Sequence, residues 1–262
     1  MPDAARGTLA ALYRHPVKGF TPEPLAAVDL APGSGFPFDR VWAVENGPSG
    51  FDPADPQFTP KQKFTVLASL ARVAAAATRY DETQAVFHAR APGLSPFAGS
   101  LAGVEGRAAL ADWLAALLGE EARGPLKVIE APARHRFTDH PQGQVSLINL
   151  ASVRDLAARM GAEIDPLRFR ANLYVEGWPA WVENGWTGGV LRLGGVEARM
   201  FKPIVRCAAT HVNPAIAQRD LDVTKALFDH YGHMHCGIYL QVTTAGRLAT
   251  GDACHGPAAE AV

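Results

Sequence analysis

Clusters of glycine and proline divide this chain into short segments, and this feature constrains its fold more than any other. The sequence holds 25 Gly and 20 Pro among 262 residues. Many of them are grouped, as in the run APGSGFPF at residues 31–38. Short runs with the character of β-strands lie between these clusters. Many short strands, frequent turns and few helices favour a β-barrel or a β-sandwich with helices at its periphery.

Residue patterns predict individual elements. The predicted strands cover residues 8–13, 26–30, 40–45, 66–80, 84–88, 145–148, 172–175, 190–193, 196–200, 238–243 and 247–250. The alanines at 74–77 also permit a helix there. Gly194-Gly195 predicts a hairpin turn, and a last hairpin is expected around Ala245-Gly246. The predicted helices cover residues 108–119, 152–161 and 221–231. The first ends at a glycine, which could cap it. The second begins at Ser152, and Ser152 and Asp155 have the spacing of a capping box.

Charge and composition exclude several classes of protein. The formal net charge is −1, which gives no general basis for binding nucleic acid. Each apolar run is interrupted by Pro, Gly or a charge, so no membrane span is expected, and residues 1–12 do not resemble a secretory signal. The three cysteines form no paired spacing and are odd in number, which favours a reducing cytoplasm.

Cys207 is the first candidate for chemistry. It follows an apolar and basic run, and Asn213-Pro214 closes the same stretch as a turn signal. The cysteine is therefore predicted where a strand gives way to a loop, with Lys202 and Arg206 nearby. A thiolate binds metals and reacts, and nearby cations stabilise it. The alternative is that Cys207 is a small buried apolar residue, as lone cysteines often are.

Basic residues form a second set of candidates. If residues 168–172, RFRAN, form a strand, alternation places Arg168, Arg170 and Asn172 on one face. Such a face could bind an anion, or its arginines could simply be solvated. Lys18 follows the stiff pair Pro16-Val17, and Arg40 adjoins Asp39.

Other templates fit the sequence less well. His230, His233, His235 and Cys236 lie close together, but their spacing matches no standard zinc pattern. A cysteine hydrolase using Cys207 with His211 would need a nucleophile and base four residues apart across a turn. The sequence contains no P-loop, no dinucleotide fingerprint and no G-x-S-x-G elbow.

Six segments, taken in order, resemble the MOSC family, and the likeness extends from the PVK segment to about residue 252. The segments are LYRHPVKGF at 12–20, FDRVWAV at 38–44, DHPQGQVSLINLAS at 139–152, LRFRANLYV at 167–175, RCAATHVNP at 206–214 and GHMHCGIY at 232–239. Within the family, the chain is most similar to the amidoxime-reducing component of mitochondria and its bacterial relatives. MOSC proteins carry the molybdenum cofactor or handle its sulfur.

The resemblance implies a mixed, β-rich fold, in which a MOSC-type β-barrel with peripheral helices stands beside a smaller α/β part like the MOSC N-terminal domain. The barrel is expected to comprise residues 1–44 and 126–255, with the smaller part at 45–125. The competing division is a plain split into residues 1–125 and 126–262.

The resemblance also implies a site for the molybdenum cofactor, Mo-molybdopterin. Cys207 would be the metal ligand and catalytic residue. The residues expected to bind the cofactor are Lys18, Arg40, Arg170 and Asn172, with Asp139, Ser146, Arg206, Thr210 and the segment 142–146 as weaker candidates. The chain departs from the family pattern at Gly19, where a serine often stands, and at His211 and Asn213. These departures bear on the substrate pocket.

The function implied by the resemblance is reduction of N-hydroxylated compounds, such as hydroxylamines and amidoximes, by a cytoplasmic molybdenum-dependent oxidoreductase. Electrons would come from a separate ferredoxin-, flavin- or cytochrome-type partner, and neither nucleic acid nor membrane would be involved. Two alternatives stay open: a carrier of sulfur or cofactor that uses a persulfide on Cys207, and a non-catalytic pterin-binding protein.

Overall fold

Short strands dominate the computed structural model, which describes residues 5–133, 135–142 and 145–258. Three α-helices accompany the strands in this part of the chain: α1 (Val104–Leu118), α2 (Leu150–Met160) and α3 (Val223–Tyr231). The strands are β1 (Arg6–Arg14), β2 (Glu23–Leu25), β3 (Ala27–Leu30), β4 (Trp42–Asn46), β5 (Ala77–Asp81), β6 (Val86–Arg90), β7 (Phe97–Gly99), β8 (Leu126–Glu130), β9 (Val145–Asn149), β10 (Leu173–Glu176), β11 (Val190–Leu193), β12 (Val196–Val205), β13 (Val212–Asn213), β14 (Gln218–Arg219), β15 (His235–Thr244), β16 (Gly246–Ala249) and β17 (Ala253–His255).

Seven of these strands close into a barrel, which confirms the predicted β-rich barrel fold. Their order around the ring is β1, β10, β9, β15, β12, β11 and β17, and β17 pairs with β1 again. Only β9 and β10 run parallel among these pairs. Closure leaves no unpaired edge within the ring. The barrel interior is apolar, with Leu9, Leu147, Leu173, Met200 and Ile238 fully buried.

The barrel takes one strand from the start of the chain and six from its second half. β1 pairs with both β10 and β17, so residues 6–14 complete the ring. β4 instead pairs with β8 in a separate two-stranded sheet. The division into a barrel part, residues 1–44 and 126–255, and a smaller part, residues 45–125, stays a proposal. The place of β1 in the ring supports this division. Strands β4 and β8 lie outside the ring.

The smaller part is built around α1. The helix packs against β8 and against the three-stranded sheet of β5, β6 and β7. Its apolar side lies in a cluster that includes Leu114, Trp42, Val44 and Phe87. The predicted helix at 108–119 is confirmed, and it begins earlier, at Val104. Gly119 ends it with a φ of 55°, a value that favours glycine.

Helices α2 and α3 pack together outside the barrel. The predicted capping box of α2 is wrong, because the helix begins earlier and the side chain of Asn149 caps it by accepting the amide of Ala151 at 3.1 Å. The Ser152 hydroxyl donates instead to the buried carboxylate of Glu183 at 2.8 Å. None of the helices in the described ranges has the length and apolar composition needed to cross a bilayer.

Two strand predictions need correction. Of the predicted strand at 66–80, only residues 77–80 lie in a strand, β5, because residues 71–75 form a 3₁₀ turn. The expected last hairpin is also wrong: β16 leaves β15 and pairs with β3. Gly246, the first residue of β16, lies against the turn between β11 and β12. A Cβ on Gly246 would be 2.1 Å from the Gly195 carbonyl oxygen. Glycine therefore allows the two backbones to approach each other.

Candidate functional site

Cys207 lies where the sequence predicts, immediately beyond a strand. β12 ends at Val205, and a 3₁₀ turn covers Ala208–His211. The amide and the hydroxyl of Thr210 both donate to the Cys207 carbonyl oxygen, at 3.0 and 2.9 Å. These bonds fix the backbone of the turn, and the half-buried thiol is free of any disulfide.

Arg206 ties the Cys207 turn to two neighbouring segments. Its Nε donates to the Cys236 carbonyl at 2.6 Å, and its Nη1 donates to the Phe169 carbonyl at 2.8 Å. Its Nη2 is buried without a hydrogen-bond partner among the described residues. A buried donor without a partner is costly to a fold, so this nitrogen is an available contact for an anion.

The prediction that RFRAN forms a strand is wrong. Residues Pro166–Phe169 form a 3₁₀ turn whose first amide, that of Leu167, is accepted by the Asp165 side chain at 2.8 Å. Arg170 then takes a left-handed conformation with a φ of 53°. Proline after a capping aspartate favours a helical turn, and this local signal overrides the alternation of charged and apolar residues.

Because the turn is irregular, the side chains of Arg168 and Arg170 point in different directions. Arg168 forms an ion pair with Asp220 at 2.7 Å and donates to the His211 carbonyl at 3.0 Å. Its charge is therefore already balanced. Arg170 donates to the Phe20 carbonyl at 2.6 Å and has no carboxylate in contact with its guanidinium among the described residues. Arg170 is thus the arginine of this turn whose charge is available.

A cavity of about 200 Å³ lies between the barrel and residues 61–68, and these groups line it. In a chain with a net charge of −1, this local excess of positive charge is characteristic of an anion site. Seven lysine and arginine side chains and one carboxylate line it among the described residues: Lys18, Arg40, Lys61, Arg168, Arg170, Lys202, Arg206 and Asp139.

Most of the predicted site residues meet at this cavity. Those that line it are Lys18, Arg40, Asp139, Ser146, Arg170, Arg206, Cys207 and Thr210. Asn172 is absent from the lining. Its side-chain oxygen accepts a hydrogen bond from the Ser146 hydroxyl at 2.9 Å, and its side-chain nitrogen donates to the Tyr13 carbonyl at 3.2 Å. Asn172 therefore holds Ser146 in position without lining the cavity. Gly143 and Gln144 of the predicted segment 142–146 lie outside the described residues.

Arg40 and Arg170 form a repulsive pair at the cavity. Arg40 pairs with Asp39 and donates to the Arg170 carbonyl at 3.1 Å. Burial first, and then the charge of Arg40, lowers the pKa of Arg170 to about 10. Burial together with both arginines lowers the pKa of the neighbouring His15 to about 3. An anion bound between the two guanidinium groups would relieve this repulsion.

The single carboxylate of the lining sits among cations. The Lys18 ammonium donates to Asp139 and to the Phe137 carbonyl, the latter at 2.8 Å. Burial would raise the pKa of Asp139, but Lys18 and Lys61 outweigh it and hold the pKa well below its usual range. Burial in turn lowers the pKa of Lys18. Asp139 therefore stays ionised and holds the ammonium of Lys18 in place.

Lys61 belongs to the site and escaped the sequence prediction. It begins a short 3₁₀ turn, Lys61–Lys63, after a proline-rich loop. It lines the same cavity as Cys207. The loop has no periodicity that would direct a side chain toward a distant cavity. A cation beside prolines was the only available signal, and it is too common to be informative.

Gly19 explains one departure from the family pattern. It lines the cavity beside Lys18 with a φ of 91°. A Cβ at this position would stand 2.3 Å from the Thr65 carbonyl oxygen. A serine would therefore meet both backbone strain and a collision, and the close approach of Thr65 requires glycine here.

The histidine cluster presents no metal site. In residues 5–133, 135–142 and 145–258, no three His, Cys, Asp or Glu side chains are grouped so that they could hold a metal ion. The rings of His233 and His235 stack with centroids 4.9 Å apart. His233 accepts the amide of His235 at 3.1 Å, which stabilises the turn between α3 and β15.

Comparison with known proteins identifies two domains along the chain. Residues 6–121 match the MOSC N-terminal beta barrel domain, and residues 134–255 match the MOSC domain. No curated protein gives a match to the sequence.

Several solved structures match the chain at low sequence identity and with TM-scores below 0.5. The YuaD protein from Bacillus subtilis is 15% identical with a TM-score of 0.49, and the match covers 97% of each chain. YiiM from Geobacillus stearothermophilus is 16% identical with a TM-score of 0.36, over 45% of this chain and 55% of that one. YiiM from Escherichia coli is 15% identical with a TM-score of 0.35, over 47% of this chain and 59% of that one.

The family assignment rests on the two domain matches, because every one of these TM-scores is below 0.5. Together the matched segments span nearly all of the described chain. The protein therefore belongs to the MOSC-domain family, with a MOSC N-terminal beta barrel segment followed by a MOSC domain.

Proposed function

We propose that this protein binds the molybdenum cofactor in the cation-lined cavity and reduces N-hydroxylated compounds, such as hydroxylamines and amidoximes. The observation that carries the proposal is the position of the Cys207 thiol on the wall of a cavity with seven lysine and arginine side chains and one carboxylate. Membership of the MOSC family supports the same reading.

The residues present fit the cofactor, which is an anionic pterin with a dithiolene and a phosphate. Thiolates are suitable ligands for a redox-active metal, so Cys207 would be its protein ligand. Guanidinium and ammonium groups suit phosphate oxygens, and Lys18, Arg40 and Arg170 would bind the anionic part. The partnerless Nη2 of Arg206 offers a further donor. When bound, the cofactor supplies the two-electron chemistry that removes an oxygen atom from an N–O group.

The protein's own residues hold the groups of the site in position and supply positive charge for this reaction. Thr210 and Arg206 hold the turn that carries Cys207. Asp139 fixes Lys18, and Asp39 fixes Arg40, so both cations are oriented before any anion arrives. Preorganised charges of this kind stabilise a bound anion without reorganisation.

The overall reaction breaks the N–O bond of a hydroxylamine and forms one N–H and one O–H bond, giving an amine and water. It consumes two electrons and two protons. We propose that a separate ferredoxin-, flavin- or cytochrome-type protein supplies the electrons. Three free cysteines, two of them buried, are consistent with a reducing compartment, and we propose the cytoplasm.

Multiple turnover separates this proposal from the carrier alternative. Protein made in a host that builds the cofactor, supplied with dithionite and methyl viologen, is expected to convert many equivalents of a simple hydroxylamine per chain. A carrier of sulfur or cofactor would give at most one product per chain and would show a persulfide on Cys207 by mass spectrometry. The carrier result would overturn the reductase proposal.

A further inference from the structure

Two residues with a left-handed backbone flank Asp39. Phe38 has a φ of 53° and Arg40 has a φ of 51°. Residues with a side chain rarely adopt such values, and these conformations persist only where surrounding contacts hold them. Arg170, which forms the repulsive pair with Arg40 at the cavity, is left-handed as well. Both arginines therefore project from strained turns that need support.

The buried carboxylate of Asp39 supports the first of these turns. It accepts the His15 amide at 2.7 Å and pairs with the Arg40 guanidinium. The Arg40 amide in turn donates to the His15 carbonyl at 2.7 Å. Asp39 and Arg40 are thus both bonded to the residue that follows β1, and the carboxylate holds the side chain of Arg40.

Arg40 extends this support to the second turn. Its Nη1 contacts Asp39, and its Nη2 donates to the Arg170 carbonyl at 3.1 Å. A guanidinium group is planar, so fixing one of its nitrogens fixes the direction of the other. Asp39 therefore acts on the backbone of Arg170 through Arg40, although Asp39 does not line the cavity in the described part of the chain.

The charge of Asp39 and its contacts have opposite effects on a bound anion. Burial would raise the pKa of Asp39, but Arg40 outweighs burial and holds this pKa well below its usual range, so the carboxylate stays ionised. A negative charge beside an anion site weakens anion binding. Orienting the two arginines before the anion arrives strengthens it. The sign of the net effect therefore distinguishes the two roles.

We propose that Asp39 is a positioning residue of the anion site, which holds Arg40 directly, and Arg170 through Arg40, in the orientation that binds a phosphate-type anion. Asp39 does not touch the anion itself. This inference deepens the proposed function and rests on its anion site, but it does not depend on the reduction of an N–O bond.

Binding of inorganic pyrophosphate to the full chain, made without the cofactor, tests this inference by isothermal titration calorimetry. Asp39→Asn keeps an oxygen that can accept the His15 amide but removes the ion pair with Arg40. The dissociation constant is expected to rise about tenfold, because the arginines lose their orientation and a charge-assisted contact to the anion weakens. Asp29→Asn is the matched control and should bind as the wild type does, since it removes the same charge from an exposed side chain that does not line the cavity.

A double-mutant cycle separates positioning from a general role in the fold. If Asp39 acts through Arg40, Asp39→Asn should cause no further weakening in an Arg40→Gln background. Arg40→Lys decides the matter if Asp39→Asn does not fold. Lysine keeps the charge but lacks the planar fork that bonds Asp39 and the Arg170 carbonyl together, so pyrophosphate binding should again weaken about tenfold.

Unchanged or tighter binding in Asp39→Asn would show that only its charge matters and would overturn the inference. Equal weakening in the wild-type and Arg40→Gln backgrounds, or unchanged binding in Arg40→Lys, would overturn it as well. A wild-type chain that does not bind pyrophosphate would refute the anion site together with this inference. Pyrophosphate binding without reductase turnover would instead count against the proposed reaction alone.

Discussion

Replacing Cys207 with alanine is expected to abolish turnover and leave the fold intact. A methyl group cannot serve as a metal ligand in place of the thiolate. The turn itself should persist, because Thr210 bonds to the backbone carbonyl of residue 207 and not to its side chain. The change in unfolding free energy should stay within about 1 kcal/mol, as for other substitutions outside a core. Reductase activity with a chemical reductant and the Tm provide the two measurements.

Cys254→Ala is the matched control for this variant. Cys254 is fully buried in the barrel core and does not line the cavity. Its replacement should lower stability by about 1–2 kcal/mol and leave turnover per loaded chain unchanged. Wild-type activity in Cys207→Ala that carries bound cofactor would contradict the assigned role of Cys207.

Replacing Arg170 with glutamine is expected to lower cofactor affinity by roughly ten- to a hundredfold, through loss of a charge-assisted contact to an anion. The same change should not destabilise the cofactor-free protein in proportion. Arg170 is destabilised as a cation by burial and by Arg40, which together lower its pKa to about 10. Removing its charge therefore relieves repulsion when no anion is present. Arg170 would thus contribute to binding at the expense of the stability of the empty site.

Pterin content after purification and the Tm of the cofactor-free protein measure these two effects. Arg192→Gln is a suitable control, because Arg192 is exposed on the barrel surface and remote from the cavity lining. Unchanged pterin content in Arg170→Gln would contradict an anion site at this turn. A large loss of Tm in the cofactor-free variant would show that Arg170 is structural.

The barrel could be predicted from the sequence because turn residues mark where strands end. Gly194-Gly195 gave the hairpin of β11 and β12 correctly. Asn213-Pro214 correctly indicated a loop after Cys207. Such signals are local, so they predict elements well. They do not predict which strand pairs with which, and for this reason β16 was assigned to β15 instead of β3.

The site was less predictable, because its contacts join segments that are distant in sequence. Alternation in RFRAN suggested a flat charged face, but Asp165 and Pro166 start a turn that separates Arg168 from Arg170. Nothing in the proline-rich loop indicated that Lys61 lines the same cavity as Cys207. The meaning of Gly19 likewise became clear only from the carbonyl of Thr65 beside it.

Metal and pterin analysis of the wild-type protein tests whether the cavity holds the molybdenum cofactor. The protein is produced in a host able to build the molybdenum cofactor, purified, and analysed by elemental mass spectrometry and by fluorescence of the released, oxidised pterin. The proposed cofactor site predicts about one molybdenum and one pterin per chain, since one cavity holds Cys207 together with the cations. Protein that carries neither, although the host loads other molybdenum enzymes in the same culture, would contradict it.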